Sequence, residues 1–169
     1  MLNHRVVKES GAAALPAPAT RSLLLWGGID GEGNLFLDPV IVVDAPTVLP
    51  SSRGAYRLAG LAADGRELFA LTFDMPVLAD VERRSSFVYA LPAETAWSNA
   101  LESITLSGPE GSTTLNREGD RSVAILLDPV TGGVRGILRG AAGGAVPDAA
   151  AGLEVLYSRG IPDATAWRR

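Results

Sequence analysis

The 169-residue chain has no cysteine, one histidine and one lysine, Lys8. Each scarcity removes a class of chemistry. Without cysteine there are no disulfides, no thiolate zinc sites and no cysteine nucleophile. The one histidine, His4, lies in an N-terminal stretch without apolar periodicity. Nothing there would hold it rigidly within hydrogen-bond reach of a serine, as a Ser–His–Asp triad requires. The common tetrahedral zinc sets fail for the same reason. Aromatic residues are only 6% of the chain, so few planar rings are offered to sugars. Trp26 and Tyr56 are the candidates, although Trp26 reads better as core and Trp97 as the anchor of a short helix. No apolar run reaches the length of a membrane-spanning helix, so no transmembrane segment is expected. The opening MLNHRVVKESGAAALPAPATRS lacks the continuous apolar stretch of a signal peptide, so an exported form would take its address from a longer parent chain. A net charge of −4 with scattered arginines offers no basic face, and no nucleic-acid partner is expected.

The remaining composition is that of a globular chain: 47% hydrophobic and 20% charged. Its 19 glycines and 11 prolines mostly separate short apolar runs, which is how a turn-rich β-protein reads. Residues 1–21 form a small-residue, Pro-containing linker, residues 22–163 the folded body and residues 164–169 a tail. Candidate strands cover 22–29, 35–43, 55–61, 66–73, 85–91, 103–108, 112–116, 122–128, 133–139 and 152–160. Pro39 cannot donate to a ladder and predicts a bulge or an edge within 35–43. Phe69, Leu71 and Phe73 share one face of their strand, and Phe87, Tyr89 and Leu91 share one face of theirs. In the last strand Leu153, Val155 and Tyr157 make the more apolar face, so Val155 is expected inward and Glu154 in solvent. Residues 92–103 predict the one short helix, with Trp97 and Leu101 on the same side. About ten strands with turns every 8–12 residues predict an all-β antiparallel sandwich, immunoglobulin/fibronectin-like or jelly-roll-like.

Carboxylates are the chemistry left. Asp30, Glu32, Asp38, Asp44, Asp74 and Asp80 fall at strand ends or in turns, where Asp bonds to nearby backbone. Two of them could make a glycosidase-type pair, but no spacing selects one pair. Asp30, Glu32 and Asn34 place oxygen side chains at alternate positions, as calcium loops do. The likeness to an EF-hand stops there, with no glycine at the sixth position and Ile41 at the twelfth. Asn116, Glu118 and Asp120 form a second alternating set. The glycine-rich GIDGEG and GGAVPD segments match no phosphate-binding fingerprint and read as turns. No cofactor is called for beyond calcium at the Asp30 loop.

Three segments carry a family resemblance: SITLSGPEGSTTLN, SVAILLDPVTGGVRGILRG and LEVLYSRGIPD. Together they resemble a β-sandwich module found near the C-terminus of large bacterial exported proteins, several of them peptidases. The likeness covers residues 22–163 and rests on turn and core signatures, so no catalytic residue carries over. It implies a non-catalytic accessory domain, extracellular or at the cell surface, serving adhesion, substrate presentation or spacing toward a protein or polysaccharide partner. A carbohydrate-binding module and a carboxylate-only hydrolase are the alternatives.

Overall fold

The computed structural model describes residues 21–76, 84–140 and 151–168. His4, Asp80, the GGAVPD segment and nearly all of the predicted N-terminal linker lie outside them. The described residues form eleven strands, one helical turn and a closing 3-10 turn, and all strand pairing is antiparallel. The all-β, sandwich-like architecture expected from the sequence is what is found.

The central strand is β1 (Arg21–Ile29). β6 (Ser85–Pro92) pairs along its whole length. Its other side is shared by β2 (Leu35–Leu37) and β3 (Ile41–Asp44). Gly27 opposes Leu37 and Leu24 opposes Ile41, so the β2–β3 line holds one residue more than β1 between these two rows. The predicted bulge is therefore present, at Asp38–Val40. Pro39 needs no ladder donor there, and a bulge bends its strand and re-aims a side chain.

The second sheet runs β5–β4–β7–β8, from β4 (Tyr56–Ala62), β5 (Glu67–Phe73), β7 (Leu101–Gly108) and β8 (Gly111–Asn116). It packs on one face of the β1 sheet. Leu23, Leu25, Phe87 and Leu91 meet Leu58, Phe73, Leu101, Ile104, Leu106 and Leu115 in the main core. The predicted aromatic faces are confirmed: Phe73 lies 4.9 Å from Phe87 and 5.1 Å from Tyr89, between ring centroids.

A third sheet, β10–β9–β11, is built from β9 (Val123–Leu127), β10 (Val134–Arg139) and β11 (Glu154–Ser158). It covers the opposite face of the β1 sheet, where Trp26, Ile41 and Val43 meet Val123, Ile125 and Leu127. β1 and β3 are thus covered on both faces. This explains why SLLLW and IVV are continuous apolar runs rather than alternating ones.

Three expectations need correction. The helix is a single turn, α1 (Trp97–Ala100), because Leu101 already pairs with Ala62 as the first residue of β7. Trp97 and Leu101 still share the core, with Trp97 5.0 Å from Phe69. In β11 the inward residues are Leu156, packed in the second core, and Ser158, buried and donating to the carbonyls of Val40 and Gly160. Val155 lies on the other face, because side chains alternate strictly and this strand has apolar residues on both sides. Trp167, placed by the sequence in a tail, is only 6% exposed and packs in the main core.

Candidate functional site

The predicted calcium loop is a turn that closes on itself. Oδ1 of Asp30 accepts the backbone N–H groups of Glu32 and Asn34, each at 2.9 Å. Asn34 turns its amide nitrogen, not its oxygen, toward the Glu32 carboxylate. The N–H of Asn34 holds the Asp30 carboxyl below the usual carboxylate range. These contacts are those of an Asx turn, which needs no ion to hold it.

The candidate sugar-stacking rings are also engaged. Trp26 is 4% exposed and donates Nε1–H to the Pro39 carbonyl at 2.6 Å. Tyr56 stacks on Phe73 and donates its hydroxyl to Glu110 at 2.7 Å, a bond that pushes the phenol up to about 12. Asp44 pairs with Arg21 at 3.4 Å.

Asp38 differs from the other carboxylates. The bulge turns it toward the third sheet, where it is only 4% exposed. Oδ1 lies 3.6 Å from Arg121 Nη1 and Oδ2 lies 3.1 Å from Arg139 Nε. The Arg139 N–H is not aimed at Oδ2, which accepts no hydrogen bond among the described residues. Both guanidinium groups also lie over aromatic rings, Arg121 over Phe36 at 5.4 Å and Arg139 over Trp26 at 5.5 Å. Strand register explains the convergence. Val123 stands between Arg139 on β10 and Ser158 on β11 in one row of the third sheet. Arg139 therefore shares the inward face with Val123 and reaches Trp26 and Asp38.

The same end of the third sheet supplies the rest of the site. Asp120, Arg121 and Ser122 lead into β9, Arg139 and Gly140 leave β10, and Tyr157 and Arg159 end β11. With Asp38 they line an open cleft of about 610 Å³. Gly160 lets the chain leave β11 tightly: a Cβ there would stand 2.2 Å from the Asn116 carbonyl oxygen, so any larger residue would force the β11 exit away from the cleft wall.

Of the residues singled out in the sequence, Asp38 and Asp120 come together here, while Asp30, Glu32 and Asn34 stay in their own loop. The arginines were missed. Arg121, Arg139 and Arg159 are far apart in sequence, and only the pairing of β9 with both β10 and β11 gathers them. Pro39 was the one available signal, since it marks the bulge that aims Asp38. Comparison of the chain with protein-family models, with curated proteins and with solved structures finds no match.

Proposed function

We propose that the chain is a non-catalytic accessory domain of an exported bacterial protein, which holds a polysaccharide or protein partner for a neighbouring catalytic part such as a peptidase. The observation that carries this reading is the commitment of its candidate carboxylates: of the two that share the cleft, Asp38 is buried beside two arginines, which leaves Asp120 without a second open carboxylate. Asp30 caps its own loop, Asp44 pairs with Arg21 and Asp38 lies beneath two arginines. A glycosidase-type pair needs two carboxyl groups facing one bond, and these three face different partners. The arginine-walled cleft suits holding a ligand, since three guanidinium groups converge on one open space. The resemblance of the hairpin segments to peptidase-associated modules supports the exported setting.

Affinity electrophoresis through gels cast with acidic or neutral polysaccharides, run beside a reducing-end assay on the same polymers, tests the reading. Retardation without release of reducing ends is expected. Turnover that disappears on substituting Asp120 or Asp38 would replace the accessory domain with a hydrolase.

A further inference from the structure

Resting on the reading of the chain as a ligand-holding domain, we propose that the cleft beside Asp38 binds one oxyanion group, a carboxylate, sulfate or phosphate, through Arg121, Arg139 and Arg159. Arg121 and Arg139 meet Asp38 through one nitrogen each, Nη1 and Nε. A guanidinium carries five N–H donors in a planar fork, so each keeps donors for a second acceptor. Asp38 lies within ion-pair distance of both, and Phe36 and Trp26 lie against their faces. These contacts bias two largely exposed cations toward the cleft, which lowers part of the ordering cost of binding. Arg159 lines the same cleft and, among the described residues, is committed to no carboxylate.

The charge balance selects an anion. Three guanidinium groups face two carboxylates, and one of the two, Asp38, is buried under its arginines. An entering cation would meet the arginines first. An entering oxyanion would meet donors suited to paired N–H···O bonds, opposed among the described lining residues by Asp120. The role of Asp120 gives the proposal a second handle, since removing its charge should improve binding.

The test is an NMR titration of the whole chain with sodium sulfate, sodium phosphate and sodium glucuronate, with glucose as the neutral control and ionic strength held constant. Saturable shifts are expected at the amides of Ser122, Gly140 and Tyr157 with the anions and not with glucose. Arg159→Gln should weaken binding about tenfold or more, and Asp120→Asn should tighten it several-fold. Neither variant touches Asp38, so both should keep the wild-type melting temperature. Tighter sulfate or phosphate than glucuronate assigns a tetrahedral anion; the reverse assigns an acidic sugar. Shifts that never saturate, or an Arg159→Gln chain that binds as wild type does, would overturn the site. If the chain is held by polysaccharide gels while small anions leave the cleft untouched, this inference fails and the accessory-domain reading stands. Catalytic turnover would remove that reading instead.

Discussion

Asp38 and Asp128 are both carboxylates held by arginine, but their surroundings give them different work. Asp128 opens the β9–β10 hairpin. Its Oδ1 accepts the N–H groups of Val130 and Thr131, and its Oδ2 takes Arg135 at 2.7 Å. The Arg135 bond first, then the two backbone donors, hold its carboxyl down to about 2. Gly132, with φ +69°, accepts the left-handed backbone that closes this hairpin. A depressed carboxylate stabilises the fold above its unfolded pKa and loses that contribution as pH falls through the folded value. The Asp128 contribution should thus be complete above about pH 4 and disappear toward pH 2. A carboxyl-carbon NMR titration should place Asp128 near 2, and Arg135→Gln should raise it toward the ordinary range. Asp38 is buried, so its loss is a matter of packing and paired charge. Asp38→Ala should lower stability in urea by only about 1 kcal/mol, because the two arginines that lose their shared carboxylate are more than half exposed and stay solvated. The Asp30 turn gives a contrast. Asp30→Ala should lower the melting temperature slightly, and chelators should leave it unchanged. A calcium-dependent rise in melting temperature that vanishes in Asp30→Ala would show that the loop holds an ion after all.

Among the elements, β11 states most clearly where reading a sequence succeeds and fails. Strands whose two faces differ in character were legible: Phe69–Leu71–Phe73 and Phe87–Tyr89–Leu91 face the core as expected. β11 was not, because Val155, Leu156 and Tyr157 are all apolar and a strand carries no mark of which sheet it will face. Only its pairing with β9, Leu156 against Ile125, settles the orientation. The one short helix was legible in its place but not in its extent, for a related reason. Trp97 and Leu101 suit a helical spacing, yet Leu101 gains more as the buried start of β7, where it has no exposed surface. Pro39 was legible as a bulge because its missing N–H is a local property, while the arginines that meet at Asp38 depend on contacts distant in sequence. The β11 orientation makes a sharp prediction. Leu156→Asp would put a carboxylate into the second core and should cost about 3 kcal/mol or more in urea unfolding, whereas Val155→Asp should cost no more than about 1. The reverse order would mean that the strand is turned over.

At the scale of the whole molecule, the fold is a two-sheet sandwich with a third sheet laid on its outer face, and the two cores meet on opposite sides of β1. The third sheet has its own apolar contacts through Val123, Ile125 and Leu127. Several polar ties join its open end to the β1 sheet: Asp38 meets Arg121 and Arg139, the Ser158 hydroxyl donates to the Val40 carbonyl, and the Val40 N–H donates to the Gly160 carbonyl. The first of these ties also builds the cleft, so the bulged carboxylate serves both the docking of the third sheet and the candidate site. Hydrogen exchange on the wild type and on Asp38→Ala tests this most directly, since local opening is read amide by amide. Asp38→Ala should lose protection along Val123–Leu127 and Glu154–Ser158 while β4 and β7 keep theirs. Unchanged protection in the third sheet, or an equal loss in β4 and β7, would contradict that docking role.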